Sequence, residues 1–245
     1  SYPLTIFWIV GITNAINLLD GLDGLAAGVS SISSLSLFFV SVLRVDLLPA
    51  TAIYIALITA ALSGATLGFL PFNFNPAKIF MGETGAAFLG FTLSVIAIQG
   101  TMKSYAAISI AIPLLVLGLP LFDTLFAIVR RIFNRKPIMQ GDRSHLHHRL
   151  IDMGLSQRQS VLIMYLASAT LGLCAIVLAD RGALSAIILL LAVSVFVLGG
   201  AKYMNDHGIM DDNVGEGNKE PGNATSGAIR KKSSLKEKPS DGIIK

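Results

Sequence analysis

The chain has 245 residues, 53% of them hydrophobic and only 14% charged, with a mean hydropathy of +0.68 and a formal net charge of +4. A soluble domain carries roughly a quarter charged residues, and disordered chains and coiled coils also need dense charge, so these values exclude all three and leave an integral membrane protein. A single cysteine, Cys174, rules out an intramolecular disulfide and a cysteine-built metal centre.

Apolar blocks follow one another at about 4–19, 24–43, 51–70, 84–98, 105–129, 161–179 and 183–201. Each approaches the roughly 20 residues that an α-helix needs to cross the hydrocarbon core, 84–98 being the short one. Backbone polar groups in lipid must pair within their own segment, which favours helices over strands. The predicted fold is therefore all-α: a polytopic membrane protein with about seven transmembrane helices over residues 1–204. A polar tail over 205–245, rich in Gly, Asn, Ser, Lys and Glu, reads as disordered. The opening Ser-Tyr-Pro runs straight into the first block without Met and reads as a cut.

Lysine and arginine orient the blocks. If the turn after the first block is cytoplasmic, so are Lys78, Arg130, Arg131, Arg135, Lys136, Arg143, Arg149, Arg158 and the basic residues from Lys202 onward, leaving Arg44, Lys103 and Arg181 for the other side. Sixteen of 19 on one side is a strong positive-inside signal. The basic balance then needs no nucleic acid as partner; anionic lipid head groups suffice.

In that orientation the costly polar residues collect at the cytoplasmic face. Asn14, Asn17 and Asp20 are spaced by three, about 60° apart around a helix, and Asp23 follows in Asp-Gly-Leu-Asp-Gly. A cap and a turn would account for one Asp and one Gly, but two asparagines and two carboxylates in lipid call for a wet cavity. Glu83, between Gly82 and Gly85 at the start of the fourth block, can either bind a hard cation beside a phosphate-binding helix N-terminus or merely complement the helix dipole; both readings stay open. The second and fourth blocks each start there behind an acidic motif, an arrangement suited to a metal-bound diphosphate. Residues 141–150, Gly-Asp-Arg-Ser-His-Leu-His-His-Arg-Leu, hold three of the four histidines. Zinc is conceivable there, but carboxylate partners suit Mg²⁺ better; histidine and arginine can hydrogen-bond phosphate and sugar oxygens, and a plain basic loop on lipid head groups is the alternative. Asp123, two turns before Arg130, is a further intramembrane carboxylate expected to face the same cavity.

Four stretches carry a resemblance: Asn-Ala-Ile-Asn-Leu-Leu-Asp-Gly-Leu-Asp-Gly-Leu-Ala from Asn14, Pro-Ala-Lys-Ile-Phe-Met-Gly-Glu-Thr-Gly from Pro76, Pro-Leu-Phe-Asp-Thr from Pro120 and His-Leu-His-His-Arg-Leu from His145. In this order they resemble the signatures of the polyprenyl-phosphate N-acetylaminosugar-1-phosphate transferases, of glycosyltransferase 4 type. The His-x-His-His form is similar to the branch that uses UDP-N-acetylglucosamine and undecaprenyl phosphate.

The resemblance implies transfer of N-acetylglucosamine-1-phosphate to undecaprenyl phosphate with release of UMP, the first step of a lipid-linked cell-wall or surface polysaccharide pathway. It implies Mg²⁺, with Mn²⁺ as the substitute ion, at Asn14, Asn17, Asp20 and Glu83. Catalytic groups would be Asp20, Asp23, Glu83, His145, His147 and His148. The substrate-binding set would be Gly21, Leu22, Asp23, Asp123, Arg143, Arg149 and Phe80, the last stacking on uracil. Implied partners are the UDP-sugar, the polyprenyl phosphate and membrane lipid, with a homodimer as one state of assembly. The implied location is a bacterial plasma membrane with the motif loops and tail cytoplasmic.

The resemblance has two departures. The family normally has Asp at Glu83, and its earlier Asp-Asp-x-x-Asp motif has no counterpart, since Asp211-Asp212 follows the other motifs in the polar tail. The chain is thus expected to be the C-terminal two thirds or so of a family member, N-terminally truncated and inactive by itself. The rival readings are a phospho-N-acetylmuramoyl-pentapeptide transferase and a non-catalytic membrane protein that keeps the fold.

Overall fold

A computed structural model describes residues 2–45, 49–101, 107–135 and 145–206; Arg143 and all of the tail beyond 206 lie outside them. The elements are helices: α1 Tyr2–Leu19, α2 Leu25–Leu43, α3 Pro49–Asn73, α4 Gly82–Thr101, α5 Ala107–Val116, α6 Gly118–Phe133, α7 Leu146–Asp152, α8 Gln157–Arg181 and α9 Ala183–Asp206. The described residues up to Tyr203 form one compact unit.

Among the described residues, α1, α2, α3 and α8 are long and apolar enough to cross a bilayer, and the pair Ile110–Val116 and Gly118–Phe133 makes a fifth span if counted as one. This differs from the expected seven in three places, one being the block at 183–201, whose described apolar stretch Ala183–Val195 is shorter than a full span. The block at 105–129 is broken, its halves bent by 82°. The block at 84–98 lengthens to the 20 residues of α4, yet Glu83, Thr84, Thr92, Ser94 and Gln99 dilute it, and it is not one of the four.

The break has a chemical cause. Pro120 has no N–H to give to the Val116 carbonyl one turn back, so a continuous helix would strand that oxygen in the interior. Ser33 of α2 donates to it instead, at 3.0 Å. A hydroxyl from a neighbouring helix thus satisfies the backbone where the helix cannot, a requirement that lipid makes strict.

α2 is the central helix, packed against α3, α8 and α4. Its buried face is small and polar: Ser30, Ser31, Ser33, Ser34 and Ser36 are all buried. Small residues let helix backbones approach closely where burial in lipid supplies no hydrophobic drive. Ser34 and Ser63 of α3 share a 2.7 Å hydrogen bond across that contact. On the α8 side, a Cβ on Gly28 would lie 2.0 Å from Tyr165 Cζ, and one on Gly172 would lie 2.2 Å from Ser36 Oγ, so both positions are filled by the partner helix. α1 pairs with α4 in the same manner, Gly90 lying against the backbone of Thr13.

Two apolar clusters fill the interior. One contains Ile12, Ile16, Leu37, Ile55, Leu93, Ile112 and Leu117. The other, with Leu19, Leu25, Val29, Leu119, Leu150, Val161 and Met164, gathers the end of α1 and the starts of α2, α6 and α8 around α7. That second cluster is the floor of the candidate site.

Candidate active site

The turn between α1 and α2 carries the first acidic motif. Asp20, Gly21, Leu22 and Asp23 line a pocket of about 180 Å³ with Asn73, the last residue of α3, and Phe80 and Met81 from the loop between α3 and α4. The turn enters α2 through Gly24 at φ 81°, a left-handed backbone that glycine adopts without strain. Tyr165 Oη donates to the Gly24 carbonyl at 2.5 Å, tying the turn to α8.

The two carboxylates differ. Asp20 is half-buried, and no described residue hydrogen-bonds its carboxylate. Burial first, and then the negative charge of Asp23, push its pKa up from 3.8 to about 6. Asp23 is held: its Oδ2 accepts from Asn75 Nδ2 and from the Ala77 N–H, both at 3.1 Å. The Asn75 amide also donates to Gln157 Oε1 at 2.8 Å, and Arg158 Nε donates to the Asn75 carbonyl at 3.0 Å. Asp23 therefore anchors the 73–81 loop between the first turn of α2 and the N-terminus of α8.

Asn73 is 3% exposed; its Nδ2 donates to the Ile79 carbonyl at 2.9 Å, and its Oδ1 is buried without a partner. A buried amide oxygen left unpaired is costly, and here it belongs to a residue that lines the pocket. Phe80 is 74% exposed on the pocket wall. Glu83 stands exposed in the first turn of α4, two residues beyond Met81, and is not among the lining residues. Asn17 and Asn14 lie one and two turns before Asp20 on α1, Asn17 half-buried and Asn14 exposed.

The histidines reach the same turn from the other side. His145 Nδ1 is 3.0 Å from Asp123 Oδ2, and the Leu146 N–H donates to Asp123 Oδ1 at 2.7 Å. His147 is 1% exposed and its Nδ1 has no partner. Its ring seats on Gly21, where a Cβ would fall 2.6 Å from Nε2. Burial, reinforced by His148, lowers the His147 pKa to about 4, so the ring is neutral at pH 7. His148 is half-buried, its ring centroid 4.3 Å from that of His147.

Beside this group opens an apolar cavity of about 520 Å³, lined mainly by Leu119, Phe122, Leu125, Phe126, Val129 and Leu171, with Asp123 and Arg149 as its polar members. Arg149 is exposed, its guanidinium 5.9 Å from the Phe126 ring centroid. The arrangement thus offers a small acidic pocket and a large apolar one, joined through the histidine helix α7. Among the described residues no three or more of His, Cys, Asp and Glu converge as a metal cage.

Residues 1–101 match the family model for glycosyl transferase family 4. A probable undecaprenyl-phosphate N-acetylglucosaminyl 1-phosphate transferase of Bacillus subtilis (strain 168) is 50% identical over 178 residues, 73% of this chain. The chain belongs to glycosyl transferase family 4. This family 4 chain matches 48% of the Bacillus protein, so it spans about half the length of that relative. A decaprenyl-phosphate N-acetylglucosaminephosphotransferase of Mycobacterium leprae (strain TN) is 40% identical over 45% of the chain and 31% of its own length. A phospho-N-acetylmuramoyl-pentapeptide-transferase of Clostridium beijerinckii (strain ATCC 51743 / NCIMB 8052) is 36% identical over 50% of the chain and 35% of its own.

Of the residues singled out in the sequence, the family 4 fold gathers Asp20, Gly21, Leu22, Asp23 and Phe80 in one pocket and seats His147 against it. Asn73, Asn75, Gln157 and Tyr165 were not foreseen. The two asparagines stand in the run Pro-Phe-Asn-Phe-Asn-Pro at 71–76, and paired asparagines beside prolines are a turn signal that reveals the loop but not its partner.

Proposed function

We propose that this protein transfers N-acetylglucosamine-1-phosphate from UDP-N-acetylglucosamine to undecaprenyl phosphate and releases UMP. In the net reaction, an oxygen of the acceptor phosphate bonds to the sugar-bearing phosphorus while the bond from that phosphorus to the bridging oxygen breaks. The electron pair leaves with UMP. The observation that carries the proposal is the pairing of a polar pocket bearing Asp20, Asn73 and Phe80 with an adjoining apolar cavity bearing Arg149. One fits a nucleotide and the other an isoprenoid phosphate. Phe80 offers a face for uracil. Arg149 is placed to meet the acceptor phosphate where the lipid tail enters apolar surroundings.

Mg²⁺ belongs to the proposal. The residues fit it: Asp20 has an unengaged carboxylate whose charge is disfavoured by burial and by Asp23, a conflict that a cation relieves. Mg²⁺ is commonly held by one or two carboxylates with substrate phosphate and water completing its shell. Asp20 and Glu83 would hold it, with Asn17 and Asn14 behind them on α1. When bound, it would offset the charge that builds on the diphosphate. His147, seated on Gly21, brings α7 against the acidic turn, and His145, His147 and His148 would contact the phosphate or sugar of the donor.

The orientation is proposed as well: the acidic turn, the 73–81 loop, α7 and the tail on the cytoplasmic side of a bacterial plasma membrane. The decisive experiment is UMP release by membranes carrying the protein expressed from its own gene, supplied with UDP-N-acetylglucosamine, undecaprenyl phosphate and Mg²⁺. Asp20→Ala and Glu83→Ala should each lower the rate by about 100-fold or more. Release driven only by UDP-N-acetylmuramoyl-pentapeptide would move the protein to the branch of the Clostridium relative. Unchanged rates in both variants would point to a non-catalytic member.

A further inference from the structure

We infer that Asp123 is a positioning residue for His145 rather than a group that touches substrate. The inference rests on the proposed reaction for the role of His145 and otherwise on geometry. Asp123 is 8% exposed, and each carboxylate oxygen is spent on the start of the histidine segment: Oδ2 on His145 Nδ1, Oδ1 on the Leu146 N–H. A carboxylate can only accept here, so the His145 nitrogen that faces it, Nδ1, carries a proton.

The same carboxylate completes the N-terminus of α7. Leu146 is the first residue of that helix, and its N–H has no partner within it; His145, in the capping position, makes no side-chain cap bond. Asp123 supplies the acceptor from α6, across 23 residues of sequence. One side chain therefore sets both the tautomer of His145 and the placement of the turn that presses His147 onto Gly21. The packing order runs from α6 through α7 to the acidic turn.

Asparagine at 123 separates these two roles. Its carbonyl can still accept from Leu146, but its NH₂ then faces His145 Nδ1 and forces that nitrogen to become the acceptor, moving the proton to Nε2. The helix start survives while the tautomer inverts.

The test combines spectroscopy with kinetics. The chain has four histidines, so ¹⁵N-histidine labelling of the 245-residue chain in nanodiscs gives an assignable long-range ¹H–¹⁵N spectrum at pH 8. Wild type should show His145 protonated on Nδ1, and Asp123→Asn should show it protonated on Nε2. In membranes carrying the protein expressed from its own gene, Asp123→Asn should lower kcat by about 100-fold with donor KM changed little, as for other groups that orient a histidine. In a His145→Asn background, which keeps a donor toward position 123 but lacks Nε2, the same substitution should add almost nothing. An Nε2–H tautomer in wild type, an unchanged tautomer in Asp123→Asn, or additive losses in the double variant would each overturn the inference. Absence of transfer by the wild type would instead strike the proposed reaction, and the spectra would still decide the role of Asp123.

Discussion

Asp20 and Asp23 are three residues apart, and the structure gives them different work. Asp23 has its Oδ2 occupied by Asn75 and Ala77, whereas Asp20 is left with burial and a like charge. The sign of the resulting pH effect follows from its raised pKa. Protonated Asp20 stabilises the fold, a contribution present in full below the ordinary value of 3.8 and lost as pH rises through about 6. Asparagine mimics the protonated form. Asp20→Asn should therefore raise the unfolding temperature of metal-free protein at pH 7.5, followed by fluorescence of the single tryptophan, Trp8, and the gain over wild type should vanish by pH 4. A gain that instead grew toward pH 4 would contradict the raised pKa. Excess Mg²⁺ should narrow the difference at pH 7.5 by stabilising wild type alone.

Element by element, the site depends on how closely α2 and α8 approach. Gly28 leaves room for the Tyr165 ring, and that ring delivers its hydroxyl to the carbonyl of Gly24, the residue that turns the chain from Asp23 into α2. Two substitutions separate packing from hydrogen bonding. Gly28→Ala puts a methyl inside the ring position and should cost roughly 1–3 kcal/mol of stability through overpacking. Tyr165→Phe keeps the ring and removes one hydrogen bond, and should cost about 1 kcal/mol. Chemical denaturation in mixed micelles measures both, with Gly28→Ala expected to be the more damaging; equal effects would mean that the ring does not fill the Gly28 position. The Pro120 break follows the same logic, because it is tolerated only where Ser33 reaches the Val116 carbonyl.

At the scale of the whole molecule, the charge distribution makes a topological prediction. Lys78 belongs to the loop that follows Asn73 and holds Phe80, whereas Arg181 closes α8 at its other end. With Cys174 replaced by Ser, Lys78→Cys should react with an impermeant thiol reagent only after the cells are opened, and Arg181→Cys should react in intact cells. The reverse pattern would place the acidic pocket on the outer face and remove the cytoplasmic assignment. Exposed apolar side chains around the helices, among them Phe7, Leu57, Phe88, Leu166 and Ile188, are the surface that lipid would cover.

The sequence by itself determined the membrane class, the helical fold and the acidic motif, because composition and local spacing act within a few turns of one chain segment. Asp20, Gly21, Leu22 and Asp23 were legible for that reason, and Phe80 was identified through its motif. Tertiary structure decided what depends on distant partners. The break at Leu117 is local in origin, through Pro120, but needs Ser33 from another helix to satisfy the exposed carbonyl. Asp123 was expected to face the cavity, and only packing shows that His145 and Leu146 take both its oxygens; Asn75 was not foreseen, and its amide joins Asp23 to Gln157. A side chain's type is written in the sequence, but the hydrogen bonds that use it are set by packing, and here packing turned one of two neighbouring aspartates into an anchor and left the other with an unengaged carboxylate.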